Sequence, residues 1–236
     1  MDEHFSRAVP FYDLWHDDGH LPAVREHLPG LLSGVRRSVL EIGAGTGRVT
    51  EIIATATPAE IFAVEPALAM RGVLLSRLTD RPELLDRVTV LPCGGLDVEL
   101  DEPVEAVVLI AVLAAFSPQE RERLWPVLAR QLEPGGLLVL NHRERPLPES
   151  GEEELLAGYR VGRHVYEIRS RVLAAEPGRV TSRFRYLIRQ RGVVIDETVV
   201  VSDAYRPTRA DLEAELARAG FVPAPAPEPL LAWTLG

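Results

Sequence analysis

The sequence predicts an α/β fold with an open, doubly wound, mostly parallel sheet and a second, antiparallel sheet inserted late in the chain. Short apolar runs alternate with amphipathic stretches between residues 39 and 140, which is typical of buried parallel strands joined by helices. A glycine-rich turn follows the first run. Beyond residue 142 the apolar residues recur with a period of two, which indicates antiparallel strands with one covered face.

The N-terminal half is expected to begin with one or two helices in residues 2–32. Phe11, Leu14 and Trp15 recur at helical spacing there, and Pro22 opens a second segment. The apolar runs predict strands at 39–42, 61–64, 88–91, 106–111 and 137–140. The stretches between them predict helices at 47–56, 66–78 and 118–132.

The C-terminal half changes in character. Residues 143–158 are polar and rich in glutamate, and we expect a loop with a short helix. Three strands are predicted at 163–174, 180–190 and 193–201, with turns at 176–178 and 191–192. A helix at 208–219 has Thr208 as N-cap, Asp211 in its first turn and Gly220 as C-cap, and residues 230–235 suit a last strand.

These elements suggest one domain with an insertion. Residues 1–142 and 203–236 form the main domain, within which residues 1–34 form a helical cap. Residues 143–202 form an antiparallel subdomain for substrate binding or oligomerisation, and a homodimer through these strands is one expectation.

Composition excludes several classes of function. The net charge of -9 argues against a nucleic-acid partner, which needs a clustered cationic face. Cys93 is the only cysteine, so an intrachain disulfide or a multi-cysteine zinc site is excluded and no metal is expected. The N-terminus lacks the apolar core of a signal peptide, and no apolar run approaches the roughly 20 residues that span a bilayer. We therefore expect a cytoplasmic protein.

The strongest motif is the glycine turn at residues 39–47, Val-Leu-Glu-Ile-Gly-Ala-Gly-Thr-Gly. Its glycines allow a tight turn and a close approach of the backbone to a ligand. A P-loop would end in Gly-Lys-Ser or Gly-Lys-Thr, which is absent. The dinucleotide register, Gly-x-Gly-x-x-Gly, fails at Arg48. Glu65 ends the next strand, where an acid about 20 residues past the turn is placed to bind ribose hydroxyls.

The segment from Glu41 to Gly47 closely resembles motif I of the class I S-adenosylmethionine-dependent methyltransferases. Residues 65–70, 105–111 and the Leu-x-Pro-Gly-Gly turn at 132–136 resemble later elements of that family. The resemblance covers roughly residues 39–141 and is weaker at 206–221. It implies a Rossmann-like, seven-stranded fold and S-adenosyl-L-methionine as cofactor. The inserted strands resemble natural-product tailoring enzymes such as the aminosugar N-methyltransferases, in architecture only.

The resemblance also implies a cofactor site, formed by Tyr12, Glu41, Gly43, Ala44, Gly45, Gly47, Glu65, Pro66, Met70, Cys93, Gly94, Leu96 and Ile110. Gly94 stands where the family often has an aspartate. Adenine recognition then falls either to backbone groups of residues 93–96 or to Asp97. Residues 114–116 are apolar and suit a pocket wall.

A sulfonium methyl group is a strong electrophile, so positioning of the nucleophile supplies most of the rate. A base is needed only when the nucleophile is protonated. The candidates for catalysis are His142, His16 and Tyr12, although each also suits an exposed histidine or a core aromatic. His20 and His164 are weaker candidates, and nothing cationic adjoins Cys93 to activate its thiol.

Three functions remain open from the sequence. The first is methyl transfer to nitrogen or oxygen of a small-molecule acceptor. The second keeps the cofactor site but performs another reaction or serves as a non-catalytic partner. The third, an RNA or protein methyltransferase, is disfavoured because residues 110–113 lack an Asn-Pro-Pro-Tyr motif. The arginines between residues 163 and 191 suit a solvated sheet face or, alternatively, an anionic substrate group.

Overall fold

The computed structural model describes residues 2–16 and 19–236, and it describes side chains for residues 8–16 and 19–236. Residues 1, 17 and 18 of the predicted N-terminal cap lie outside the described part. In chain order the strands are β1 (Ser38–Ile42), β2 (Glu60–Val64), β3 (Val88–Leu91), β4 (Val104–Leu109), β5 (Leu132–Asn141), β6 (Glu154–Val161), β7 (His164–Glu176), β8 (Arg179–Gln190), β9 (Val193–Tyr205), β10 (Phe221–Ala224) and β11 (Leu230–Leu235). The helices are α1 (Asp2–His16), α2 (Leu21–Leu31), α3 (Arg48–Ala56), α4 (Leu68–Thr79), α5 (Pro82–Leu85), α6 (Pro118–Gln131) and α7 (Arg209–Arg218).

Seven strands form the main sheet in the order β10-β11-β5-β4-β1-β2-β3. Strands β1 to β5 pair in parallel, and β11 is antiparallel to both β5 and β10. The central strands are buried on both faces, which explains their continuous apolar runs. The strand order reverses between β1 and β4, and open α/β sheets bind ligands at the carboxyl edge beside such a point. The predicted doubly wound, mostly parallel, seven-stranded sheet is confirmed.

Helices cover the two faces of this sheet and form two separate apolar cores. One core joins α2, α3 and α4 to the sheet through residues such as Leu28, Ile53 and Leu74. The other joins α6 and α7 to the opposite face through residues such as Leu124 and Leu212. Within the described part of the chain, no helix has both the length and the apolar character that a membrane crossing requires.

The four strands between β5 and α7 form an antiparallel sheet in the order β6-β7-β8-β9. Ile168 on β7 and Tyr186 on β8 are buried on the covered face, against Ala8 and Phe11 of α1. The period-two pattern of the sequence therefore reports the face that α1 covers. The N-terminal helix in this way connects the inserted sheet to the main domain.

Two sequence predictions about this region were wrong. Residues 154–161 form strand β6, not part of a loop with a short helix. The strand escapes detection because most of its side chains are exposed, so its stability comes from backbone pairing with β7 across the Gly162 turn. The Pro/Ala-rich residues 223–229 predict a connector, but residues 221–224 form strand β10, because they pair with β11 at the sheet edge. The predicted capping of α7 by Thr208 and Asp211 is confirmed.

A buried ion pair joins α6 to α7, the helices that come before and after the inserted strands in the sequence. Arg121 donates to both carboxylate oxygens of Glu215, over distances of 3.0 and 2.9 Å. The Trp125 indole N–H donates to the same carboxylate at 2.9 Å. Only 4% of the Arg121 side chain is exposed, so its charge depends on this partner for compensation.

Removing the carboxylate tests the importance of this pair. We expect Glu215→Ala to lower the free energy of unfolding by about 3–5 kcal/mol, because it leaves a buried guanidinium uncompensated. Glu213→Ala, on the same helix, removes an exposed i,i+4 partner of Arg209 and should cost less than about 0.5 kcal/mol. Urea unfolding of both variants measures the difference, and equal losses would contradict the assignment.

Candidate functional site

The turn after β1 places backbone groups at the carboxyl edge of the sheet. Gly43 and Gly45 have φ values of +75° and +58°, a region that favours glycine. A Cβ atom on Gly43 would lie 2.6 Å from the Val112 side chain, so the turn also packs too closely for a larger residue. The amides of Gly43 and Ala44 donate to the Val64 carbonyl, which ties the turn to the end of β2.

Glu65 follows β2 and holds two turns together. One carboxylate oxygen accepts from the Gly45 amide at 2.9 Å, and the other accepts from the Ala67 amide at 2.8 Å. Glu65 is buried, with only 6% of the residue exposed to solvent. This buried carboxylate therefore fixes the glycine turn relative to the start of α4 and faces the cavity between them.

That cavity, which we call the glycine-turn cavity, has a volume of about 210 Å³. It lies beside the strand-order reversal, between the turn after β1 and the segments that follow β2, β3 and β4. The sequence-predicted cofactor residues that line it are Tyr12, Gly43, Gly45, Glu65, Pro66, Met70, Gly94 and Leu96. Asp97 and residues 115–116 line it as well. The structure thus brings most of the predicted residues together around one space.

Five predicted cofactor residues do not line the glycine-turn cavity. Ala44 and Ile110 are buried in the core below the sheet edge, and Gly47 precedes α3. Cys93 packs against the second core, and its pKa is raised by burial, as expected for an unreactive thiol. Glu41 is buried and accepts a hydrogen bond from the Thr50 hydroxyl at 2.6 Å. Alternate residues of a strand end or turn point to opposite sides, so a contiguous motif supplies only part of a lining.

Several lining residues were not predicted from the sequence: Ile42, Ala67, Ala111, Val112 and Glu120. Ala111 has a φ of +57°, an unusual value for a residue with a side chain, and its amide donates to the Asn141 side chain. Glu120 lies at the third position of α6, where it completes a capping box with Ser117. Such a box signals a helix start, and that signal gave no reason to expect a ligand-facing carboxylate.

A larger space, which we call the aromatic cavity, adjoins the first and measures about 790 Å³. It lies between α1, the covered face of the antiparallel sheet and the segment after β4. Residues of β8 and β9 form one wall, including Phe184, Tyr186 and Tyr205. The residues that line both cavities are Tyr12, Ala111, Ala115 and Glu120. Two molecules, one bound in each cavity, would therefore meet at this junction.

Helix α1 forms the cover of both cavities and is anchored by charge. The Asp13 carboxylate accepts hydrogen bonds from the Thr46 hydroxyl and from Arg77, and it also pairs with Arg48. Tyr12, the preceding residue, lies directly over the glycine turn, since a Cβ atom on Gly45 would be 3.6 Å from its ring. The anchored helix holds Tyr12 between the two cavities.

The predicted catalytic residues fall into two groups. Tyr12 and His16 lie together at the aromatic cavity, with ring centroids 4.2 Å apart. Burial lowers the pKa of His16 to about 4, with a further contribution from His20, so its imidazole is neutral at pH 7. Burial also raises the pKa of the Tyr12 phenol above its ordinary value, and nearby carboxylates, Glu65 first, raise it further. Both groups are uncharged hydrogen-bonding partners at neutral pH.

His142 lies elsewhere. It lines neither cavity, its amide donates to the Pro229 carbonyl, and burial lowers the pKa of its imidazole. Its position after β5 brings it near Arg209 of α7, whose charge further lowers the pKa. His20 and His164 also lie outside both linings.

Five arginines of the inserted sheet form ion pairs with nearby acids: Arg169, Arg179, Arg183, Arg185 and Arg189. Arg185, for example, contacts both Glu153 and Glu197, and Arg189 contacts Glu167. Among the described residues, no arginine lines either cavity. The solvated-face interpretation of these arginines agrees with the structure better than the anionic-substrate alternative.

Comparisons with known proteins agree with this geometry. Residues 39–136 match a protein family described as a methyltransferase domain. Uncharacterized methyltransferases of Mycobacterium tuberculosis and Mycobacterium bovis are 34% identical to the chain over 152 residues, which is 64% of this chain and 58% of the relatives. The match therefore spans somewhat more than half the length of these relatives.

Solved structures are similar over nearly the whole chain. DesVI of Streptomyces venezuelae has a TM-score of 0.76 at 19% identity and covers 95% of this chain and 97% of its own. CalS10, an amino pentose methyltransferase of Micromonospora echinaspora, has a TM-score of 0.72 at 22% identity, covering 94% and 92%. The sugar N-methyltransferase KedS8 of Streptoalloteichus has a TM-score of 0.72 at 21% identity, with the same coverage. At these identities the similarity concerns the fold.

The buried Glu41 carboxylate leads to a pH-dependent prediction. Burial, with a contribution from Glu65, raises the pKa of Glu41 to about 7, so the folded protein keeps a proton that the unfolded chain has released above about pH 4.5. The stability that Glu41 contributes is complete below that pH and is lost as pH rises through about 7. The variant Glu41→Gln keeps an acceptor for Thr50. As pH rises from about 5 to about 8, we expect its free energy of unfolding to increase by about 2 kcal/mol relative to that of the wild type.

Urea unfolding at the two pH values measures this gain. Glu60→Gln is the matched control, because Glu60 begins the neighbouring strand and its side chain is exposed. A stability difference between Glu41→Gln and the wild type that does not change with pH would show that Glu41 is ionised in the folded protein.

Proposed function

We propose that this chain, which carries a class I methyltransferase domain at residues 39–136, transfers the methyl group of S-adenosylmethionine to a nitrogen or oxygen of a small-molecule acceptor. The observation that carries the proposal is the junction of the two cavities. One cavity contains the glycine turn and Glu65, the other is large and aromatic, and Tyr12, Ala111, Ala115 and Glu120 line both. Methyl transfer needs two ligands whose reacting atoms meet at one such place.

The residues of the glycine-turn cavity suit S-adenosylmethionine. Glu65 is a buried carboxylate on the cavity wall, and such a carboxylate accepts the hydrogen bonds that the two hydroxyls of a ribose donate. Met70, Leu96 and Phe116 offer apolar walls for adenine. Asp97 and the backbone of residues 94–96 are the polar groups available for its amine. When bound, the cofactor supplies an electrophilic sulfonium methyl group.

The chain's own residues act mainly by positioning. At neutral pH the Tyr12 phenol is protonated and the His16 imidazole is neutral, so each is able to donate a hydrogen bond that orients a ligand. A base with a pKa of about 4 removes protons poorly near pH 7. Alignment of the nucleophile therefore supplies most of the proposed rate enhancement. His142 has no part in this proposal, because it lines neither cavity.

The acceptor is a small molecule in this proposal because the aromatic cavity is a bounded space of about 790 Å³ between α1 and the inserted sheet. Residues of β8 and β9 line it, which supports the assignment of residues 143–202 to substrate binding. The structural neighbours that act on an amino pentose and on a sugar nitrogen also support a small acceptor. A role of the inserted strands in a homodimer stays a prediction.

Cofactor binding is tested at Glu65. We expect calorimetry to detect binding of S-adenosylmethionine and S-adenosylhomocysteine to the wild type, and we expect Glu65→Ala to weaken both by at least about tenfold, roughly 1.4 kcal/mol. The loss follows because the substitution removes the ribose acceptor and releases the Gly45 and Ala67 amides. Glu60→Ala is the control and should bind normally, because Glu60 is exposed at the start of β2, the strand that Glu65 follows. Absence of binding by the wild type would reject the proposal.

Methyl transfer itself separates this function from a cofactor-binding protein of another activity. The wild type is incubated with S-adenosylmethionine labelled in its methyl group and with a bacterial metabolite extract. Label in a small molecule, absent with Glu65→Ala, is the expected result. Tight cofactor binding without any label transfer across extracts would favour the non-methylating alternative.

A further inference from the structure

The charged residues that line the aromatic cavity are acidic. They are Glu120 and Asp203, although the Asp203 side chain pairs with Thr181 on the face of the sheet opposite to Phe184 and Val200. The chain contains no lysine, and no arginine of the described residues lines the cavity. His16, the one imidazole of the lining, is neutral at pH 7 because burial lowers its pKa to about 4. A phosphate or carboxylate in this space would meet negative charge without a cation to compensate it.

The two carboxylates differ in what already compensates them. Asp203 pairs with Arg179 at 2.9 Å and accepts a hydrogen bond from the Thr181 hydroxyl at 2.6 Å. Glu120 forms no ion pair within the described part of the chain. One of its oxygens accepts from the amide and the hydroxyl of Ser117, at 2.8 and 2.7 Å. Its carboxylate thus lies at the junction of the two cavities without an ion-pair partner, stabilised by Ser117 and by the N-terminal turn of α6.

Aromatic rings surround the rest of the space. Phe11 and Tyr186 have ring centroids 5.2 Å apart, and Trp15 and Phe184 have ring centroids 6.1 Å apart. Ring faces attract cations and also pack against apolar bodies. The combination of one carboxylate without an ion-pair partner and aromatic walls favours an ammonium group on an apolar body.

We propose that the methyl acceptor is a small amine with an aromatic or aliphatic body and without phosphate or carboxylate groups, and that Glu120 binds its nitrogen at the junction. This inference rests on the proposed function and narrows it to transfer of the methyl group to nitrogen. Glu120 accepts a hydrogen bond from the acceptor N–H and points the nitrogen toward the glycine-turn cavity. The ammonium first releases one proton to water, and its lone pair then forms the new N–C bond. The C–S bond breaks, and its electron pair stays on sulfur.

Three probes with one body test the charge preference. They are 2-phenylethylamine, 2-phenylethanol and 2-phenylethyl phosphate, each titrated into the protein saturated with S-adenosylhomocysteine and followed by calorimetry. The amine should bind at least about tenfold tighter than the alcohol, a difference of roughly 1.4 kcal/mol. The phosphate should bind weakest. Phosphate binding as tight as amine binding, or no amine binding, would overturn the inference.

The role of Glu120 is tested with Glu120→Gln, which keeps the capping box because glutamine also caps from this position. The ratio of amine to alcohol affinity should fall about tenfold, while alcohol binding and the thermal midpoint stay unchanged. Glu122→Gln, an exposed change on the same helix, should leave the ratio as in the wild type. Glu120→Asp, which keeps the charge on a shorter side chain, should restore part of the ratio. A Glu120→Gln protein with the wild-type ratio would overturn the role.

The outcomes also distinguish this inference from the function on which it rests. Label transfer from S-adenosylmethionine to a neutral alcohol or phenol, with no preference for amines, would remove the inference and leave the methyltransferase function intact. A wild-type protein that binds no S-adenosylhomocysteine would remove both.

Discussion

The hydrogen bonds of the Glu65 carboxylate are the interaction on which the site depends. They join the amide of Gly45, in the turn after β1, to the amide of Ala67, before α4. A buried carboxylate that accepts two backbone N–H groups is held in one orientation. The neighbouring strand ends are therefore fixed relative to each other, and the carboxylate is held at the wall of the glycine-turn cavity. The same group that orders the turns is presented to a ligand.

A second set of contacts encloses the site. Helix α1 covers the antiparallel sheet through Phe11 and reaches the glycine turn through Asp13. The helix belongs neither to the main sheet nor to the inserted one, yet it closes both cavities. Because Tyr12 lies between these two attachments, movement of the inserted sheet or of the turn would displace it. One residue of this helix, Tyr12, therefore lines both cavities.

Much of the fold follows from local patterns. The apolar runs of β1 to β5 identify buried strands because both faces of a parallel sheet are covered, and Thr208 with Asp211 marks a helix start through its own hydrogen bonds. Strand β6 gives no such signal, since it is exposed and depends on its partner strand. Glu65 and the glycines are identifiable because they lie in one contiguous motif. Glu120 is not, since its neighbours in the cavity are distant in sequence.

The sequence by itself determined the strand–turn–helix alternation, the glycine turn and the acid that follows β2, because each is a property of neighbouring residues and their backbone geometry. The tertiary structure alone decided which of these residues share a cavity. It placed Glu120 and the aromatic residues of β8 around one cavity, left His142 outside it, and paired arginines of the inserted sheet such as Arg185 and Arg189 with acids. Distances across a fold depend on how the sheets and helices pack, and packing joins residues that no local pattern connects.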